Sequence, residues 1–422
     1  SNPAPDQSKT FTELFDLGSV YRRLGRLVSG PPLPFVGSVA FVAGPGDSTL
    51  AVLALSLENR SLVFQPERKD FVARYRVDIT AQPDSGPGIQ IGKEEVVRVG
   101  NFQETLRNDE SILFQQNLRL MPGHYRFTVT LRDRGSPALG RAEADYTVPA
   151  LHDGNISPAF LAYQVTGRAR RGDDLAVIIN PRATVAYGGD TALAYVEGYR
   201  MGGPRALPFE LWDEQDSVVL RDTLHFLGDR EVESEVIRLT PDSAPLGELK
   251  LVVGSGDQQR TTSILVSFSQ AWVVTNYEDM LNLLRYFGED TRLDQLRKVP
   301  ASDRPRLWRE FWIATDPNKL TPENEALNEY FGRLGTANAR FNGEGIAGWK
   351  TDRGEVYITL GDPDEIFDAS PTSQGRTVRW SYTSLRLTVF FQDETGFGRF
   401  RLTPASRSEY EQVLGRVRRR IQ

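Results

Sequence analysis

Gly348-Trp349-Lys350-Thr351-Asp352-Arg353-Gly354-Glu355-Val356-Tyr357-Ile358-Thr359-Leu360-Gly361-Asp362-Pro363-Asp364-Glu365-Ile366 packs a tryptophan, a charged turn, a β-type run and a Gly-Asp-Pro-Asp turn into one short stretch. Residues 355–360 read as a strand entered through a charged hairpin turn at Asp352-Arg353-Gly354. Gly361 then supplies backbone freedom, and Pro363 fixes φ in the turn that ends it. Three helices are expected upstream. The first carries Tyr277, Met280, Leu281, Leu284 and Phe287 on one face. The second is capped by Ser302, with Pro305 in its first turn and Leu307, Trp308, Phe311 and Trp312 following. The third opens on Thr321 as N-cap, Pro322 at the first helical position and Glu323 at the positive helix end, and carries Leu327, Tyr330, Phe331, Leu334 and Phe341. Downstream, strands are expected over residues 377–382, 385–392 and 398–403. Tyr410, Val413, Leu414 and Val417 then give a last helix its apolar stripe. Helices followed by strands predict an α+β domain over residues 270–422. Five of the six Trp fall between Trp272 and Trp380, so the aromatic-rich core or groove belongs here.

The preceding residues carry a different period. Strands are expected over residues 38–43, 50–57, 70–80, 94–99, 111–120, 124–132 and 141–148. A second set follows over 175–179, 191–199, 206–212, 217–226, 232–239, 247–253 and 260–268. Phe71, Ala73, Tyr75, Val77 and Ile79 alternate with Val72, Arg74, Arg76 and Asp78, the pattern of a strand with one face in the core. Turns such as Gly44-Pro45-Gly46-Asp47, Met121-Pro122-Gly123 and Gly254-Ser255-Gly256-Asp257 separate the runs. The fold class is therefore multidomain: two all-β sandwich (Ig-like) domains, residues 35–149 and 150–269, followed by the C-terminal α+β domain. Each sheet is expected to keep one wet face. Residues 1–34 are read as an N-terminal helix and linker. Phe11, Leu14, Phe15, Tyr21, Leu24 and Val28 form one amphipathic face over 9–28, expected to dock on its own domain.

Composition removes several classes of function. The chain of 422 residues has 39% hydrophobic and 25% charged residues, ordinary for a folded protein of two or three domains. It has no cysteine, which excludes disulfides, thiolate metal sites and cysteine nucleophiles. Its three histidines, His124, His152 and His225, are scattered through the β-domains, so no metal site and no cofactor are expected. A net charge of −6 gives no electrostatic case for nucleic acid. No apolar run is long enough for a transmembrane helix. The chain begins Ser1-Asn2-Pro3, read as the product of cleavage just before Ser1. The expected location is extracytoplasmic: periplasm, outer-membrane associated, or secreted. Peripheral membrane contact or a lipid anchor is compatible with this, and Arg416-Val417-Arg418-Arg419-Arg420 is the one basic cluster.

The C-terminal block resembles the GWxTD domain, a bacterial family whose name matches Gly348-Trp349-Lys350-Thr351-Asp352. The resemblance extends over residues 270–405. It includes Phe311-Trp312 with Asp316-Pro317, Thr321-Pro322-Glu323-Asn324-Glu325, Arg333 through Phe341, and Gly361-Asp362-Pro363-Asp364-Glu365-Ile366. Ser61-Leu62-Val63-Phe64 resembles an element of the family's upstream β-regions. Ile313-Ala314-Thr315 departs from the basic residues of relatives, which weakens any basic patch there. The resemblance implies an exported or envelope-associated protein with no settled activity. It brings no catalytic residue.

The remaining chemistry rests on carboxylates and one tryptophan. Asp362, Asp364, Glu365 and Asp368 lack the twelve-residue spacing of a calcium loop and read as a strand-ending turn. Asp352 can pair with an arginine or accept backbone N–H bonds. A catalytic role would need a second acid such as Glu344 or Asp364, set across a cleft. Trp349 is a core plug or an aromatic platform. No Gly-x-Ser-x-Gly, phosphate loop or dinucleotide fingerprint is present. The expectation is a non-catalytic binding or scaffold protein of the bacterial envelope with a protein partner. Its candidate binding residues are Trp349, Asp352, Arg353, Asp362 and Asp364. The alternative is a carboxylate-based hydrolase, for example acting on glycans, with acids near Asp352 and Asp364.

Overall fold

Alternation of apolar and polar side chains decides the first part of the molecule, and helix caps decide the second. The computed structural model describes residues 16–105, 112–269, 272–321, 323–368, 375–393 and 395–421. The chain forms two units, Ser1–Asn276 and Tyr277–Gln422.

In the first unit the strands are β1 (Leu27–Ser29), β2 (Phe35–Ala43), β3 (Thr49–Leu57), β4 (Gln65–Glu67), β5 (Asp70–Pro83), β6 (Ile89–Val99), β7 (Ile112–Leu120), β8 (Gly123–Asp133) and β9 (Leu139–Val148). They continue as β10 (Phe160–Thr166), β11 (Ala176–Ile179), β12 (Thr184–Ala186), β13 (Ala192–Tyr199), β14 (Arg205–Trp212), β15 (Val218–Phe226), β16 (Val232–Leu239), β17 (Gly247–Val253) and β18 (Arg260–Ser267). Four sheets result. Sheet A is β1-β2-β3-β7, and sheet B is built on β5, β8 and β9 with β4 and β6 beside β5. Sheet C is β11-β10-β13-β16, and sheet D is β12-β18-β17-β14-β15. Strands β1, β4, β10 and β12 are not among those expected from the sequence.

Sheets A and B enclose a core of Phe35, Leu53, Leu55, Tyr75, Val77, Ile79, Phe127, Val129 and Leu131. The outer face of sheet B is solvated. Its charges pair across strands, as in Arg76–Glu94 at 3.3 Å between β5 and β6 and Arg132–Asp78 at 2.6 Å between β8 and β5. Sheet A departs from the expectation of one wet face per sheet. Ala40, Val42, Val52 and Ala54, on the face turned away from sheet B, pack on Phe160, Ala162, Val177, Ile179 and Tyr195 of sheet C. Small side chains on β2 and β3 let the larger ones of sheet C approach. The opposite face of sheet C meets sheet D. A Cβ on Gly198 of β13 would lie 2.7 Å from the Phe226 ring of β15. The first unit is thus two sandwiches stacked into four layers, B-A-C-D.

Among the described residues, the amphipathic N-terminal helix ends at Arg23 and does not reach Val28. Helix α1 spans Leu17–Arg23, and Val28 belongs to β1. Gly25, with φ of 75°, turns the chain between them. Phe11, Leu14 and Phe15 lie outside the described residues. Val20, Tyr21 and Leu24 pack with Val36, Leu265 and Val273, so α1 is docked on its own unit.

The second unit opens with α2 (Tyr277–Leu283), α3 (Asp290–Lys298), α4 (Arg304–Thr315) and α5 (Glu325–Arg340). Helix α3 was not expected. Ser302 sits in a short 3-10 turn rather than at a cap. Helix α5 is capped by Asn324, not Thr321: the Asn324 side chain accepts the Leu327 N–H at 3.0 Å. Residues 355–360, expected as a strand, and the hairpin turn expected at Asp352-Arg353-Gly354 together form helix α6 (Asp352–Leu360). A sheet of β19 (Glu365–Asp368), β20 (Arg376–Tyr382), β21 (Leu387–Asp393) and β22 (Arg401–Leu402) follows in that order, then helix α7 (Pro404–Ile421). Val378, Trp380, Tyr382, Val389 and Phe391 are buried on one face of the sheet. Phe390, on the other face, is 41% exposed.

Candidate functional site

The motif around Trp349 is built on the C-terminal end of α5. Gly348 opens a 3-10 turn (Gly348–Lys350) pressed onto that helix. A Cβ there would lie 2.5 Å from the Ala337 carbonyl oxygen and 2.6 Å from that of Asn338. Only glycine permits this approach. Trp349 is fully buried, with its ring 6.4 Å from Tyr286 in an edge contact and the Arg285 guanidinium 4.4 Å from its centroid. It fills the core and offers no platform to a ligand.

Thr351 caps α6. Its hydroxyl accepts the Gly354 N–H at 2.9 Å and donates to the Gly348 carbonyl at 2.7 Å. Gly354, one turn in, is as crowded as Gly348: a Cβ would lie 2.1 Å from the Gly348 oxygen. Asp352 therefore stands at the first helical position, not in a hairpin turn, where a carboxylate is favoured by the helix dipole. It accepts the Leu402 N–H at 2.7 Å, which ties β22 to α6, and pairs with Arg407 at 3.2 Å and Arg401 at 3.5 Å. Arg407 also binds both oxygens of Glu355, at 3.0 and 2.9 Å. Helix α7 is thereby clamped to α6.

Arg353 points the other way, to Glu344. The pair is 2.7 Å apart, with Arg353 stacked 4.2 Å over the Phe400 ring. Glu344 is buried and also accepts the Phe400 N–H at 3.1 Å. Burial pushes its carboxyl above the ordinary range, against the opposing pull of Arg353 and that N–H. Asp362 and Asp364 lie at the far end of α6 and are exposed. Asp362 pairs with Arg340 at 2.7 Å. Asp364 accepts the Thr383 N–H at 2.5 Å while its own N–H donates to the Ser381 carbonyl at 2.9 Å, closing the turn into β19. Just before them Gly361, with φ of 81°, receives the Tyr382 hydroxyl on its carbonyl at 3.0 Å.

Of the five candidate residues, Asp352 and Arg353 share the entrance of α6. Trp349 lies beneath them, and Asp362 and Asp364 stand at the exit. The upstream motif serves the same framework: Asn324 Nδ2 donates to the Trp312 carbonyl and to Thr315 Oγ1, both at 2.9 Å, joining α4 to the cap of α5. The sequence missed one built feature. Asp393 accepts N–H bonds from Thr395 at 3.2 Å, Gly396 at 3.0 Å and Gly398 at 2.7 Å, and so holds Phe397 outward, 84% exposed. The signal was Asp393 followed by Gly396 and Gly398, both at positive φ. Among the described residues, no group of three or more His, Asp or Glu is placed to hold a metal ion, and no helix is long and apolar enough to cross a membrane.

Residues 250–413 match the family model of the GWxTD domain. No curated protein matches the chain. A solved structure similar to it is the crystal structure of the calcium binding domain CBD12 of CALX1.1, at 11% identity, covering 64% of this chain and 93% of that one with a TM-score of 0.15. A score that low carries no argument about this molecule.

Proposed function

We propose, from the premise that residues 250–413 are a GWxTD domain, that this chain is a non-catalytic binding or scaffold protein acting outside the cytoplasm. The observation that carries the reading is how the motif's chemistry is used. Gly348 and Gly354 permit backbone contact, Trp349 fills the core, Thr351 caps α6, and Asp352 holds β22 and α7. A general acid or base must reach a substrate proton, whereas Asp352 is engaged with a backbone N–H and two arginines. The same unit leaves apolar side chains outside, Ile366, Phe367 and Phe390 on its sheet and Phe397 on the loop after β21, each at least 41% exposed. Exposed aromatics of this kind suit a protein partner in the envelope. Asp362 and Asp364 supply an acidic margin.

Three measurements test the reading. Asp352→Asn should melt below the wild type, and the wild type should show no turnover in a glycan-hydrolysis screen. Turnover by the wild type that vanishes in an Asp352→Asn protein of unchanged melting temperature would establish the hydrolase instead. An envelope protein retained by the wild type should be lost by a Phe367→Ser, Phe390→Ser double variant that melts normally.

A further inference from the structure

Glu197 of β13 is a fully buried carboxylate at the junction of the two sandwiches. Four hydrogen bonds converge on it. Its Oε1 accepts from Arg168 Nε at 2.8 Å and the Tyr195 hydroxyl at 2.8 Å. Its Oε2 accepts from Arg168 Nη2 at 2.9 Å and the Tyr199 hydroxyl at 2.9 Å. The Arg168 side chain is only 1% exposed, so the pair is desolvated on both sides. Such a pair is a poor source of net stability but a strong source of geometric specificity when every lone pair is used.

The two groups that grip Glu197 also grip the other sandwich. Ala43, the last residue of β2, donates its N–H to the Tyr199 hydroxyl at 2.8 Å, and its carbonyl accepts Arg168 Nη2 at 2.5 Å. Both backbone groups at the end of one strand of sheet A are therefore fixed to one carboxylate of sheet C. Further along the junction, Gln115 of β7 behaves as an added peptide unit. Its amide donates to the Val177 carbonyl at 3.0 Å and accepts the Ile179 N–H at 2.6 Å, on edge strand β11. Arg182 Nε donates to Ser56 Oγ at 3.0 Å. Leu151, on the connector, packs with Ala43, Tyr199 and Val232.

We infer that the Arg168–Glu197–Tyr199 cluster is an orienting joint that locks the two sandwiches of the first unit into one rigid body at a single angle. Apolar contact between sheets A and C is non-directional and would tolerate sliding. The bidentate fork and the paired bonds to Ala43 would not. Glu197→Gln is the discriminating change, because it keeps the volume and inverts the chemistry. An amide NH2 would then face donors that now meet a carboxylate oxygen.

The chain has no cysteine, so Arg141→Cys on β9 and Arg221→Cys on β15 give two unique spin-label positions on opposite outer sheets. Pulsed electron resonance on the full chain should show one narrow distance population. With Glu197→Gln added, a second, displaced population should appear while near-ultraviolet dichroism stays native. Tyr199→Phe, which removes only the hydroxyl between Ala43 and Glu197, should broaden the population to a lesser degree. If Glu197→Gln does not fold, Tyr199→Phe decides. A broad distribution in the otherwise native chain overturns the joint, as does a deciding variant with the unaltered narrow population.

Discussion

Gly354 gives the sharpest test of how the motif works. Alanine in a helix is ordinarily favoured over glycine by about 1 kcal/mol. At Gly354 the added Cβ would lie 2.1 Å from the Gly348 oxygen and 3.0 Å from the Trp349 Cα. Both obstacles are main chain, so no side chain can swing aside. The 3-10 turn or α6 itself must shift, and with it the burial of Trp349. Overpacking costs about 1–3 kcal/mol, occasionally more, and a main-chain atom at 2.1 Å puts this case at the upper end, about 3 kcal/mol, so a net loss of about 2 kcal/mol is expected after the helix gain is subtracted. For a unit of this size that is a fall of roughly 4–8 °C in melting temperature. Gly332, in the middle of α5, is the control, since nothing lies within 4 Å of its would-be Cβ. Gly332→Ala should raise the melting temperature by a few degrees. Thermal melts of the full chain followed by tryptophan fluorescence are suited to this, because four of the six Trp lie beyond residue 276. A Gly354→Ala protein that melts at or above the wild type would falsify the close-contact account of the motif, whatever Gly332→Ala does.

Trp349→Ala should cost about 3–5 kcal/mol in urea unfolding of the second unit, with partner binding lost only in proportion to the unfolded fraction. Thr351→Val should cost about 0.5–2 kcal/mol through loss of the α6 cap, and Thr351→Ser should recover most of it in the same melts. Asp393 carries a pH signature. Burial would raise its carboxyl, but the N–H bonds from Gly398, Thr395 and Gly396 outweigh burial and hold it below the usual aspartate value. A depressed carboxyl contributes stability that is present above the unfolded aspartate value of about 3.9 and fades as pH falls through the lower folded one. Denaturation titrated below about pH 4 should therefore be flatter for Asp393→Asn than for the wild type.

Most of the sheet structure was legible because apolar alternation writes each strand locally, as in β5, where Phe71 through Ile79 reads directly. What alternation cannot show is the partner of the second face. Ala40, Val42, Val52 and Ala54 look like ordinary strand residues until sheet C, more than a hundred residues later, covers them. The helix α6 was misread because Val356, Tyr357, Ile358 and Thr359 favour strands by propensity. Burial against α5, capping by Thr351 and the stop at Gly361 overrode that preference. The cap signal was present in Thr351-Asp352 with Glu355 and Pro363 beyond, but it was read as a turn. Asp352 was read as able to pair with an arginine or accept backbone N–H bonds, and it does both, whereas no partner was read for Arg353. Their partners, Leu402, Arg407 and Glu344, are set by tertiary contacts that no spacing reveals.

The covered middle sheet also bears on synthesis. Strands β2 and β3 leave the ribosome long before Phe160 and Tyr195, so during that interval the nascent chain has a finished first sandwich with a bare apolar flank. Such surfaces invite intermolecular strand and side-chain association. Residues 1–149 made alone should be sticky and chaperone-dependent, while residues 1–276 should be freely dispersed. The second sandwich would then be, among other things, the built-in shield of the first.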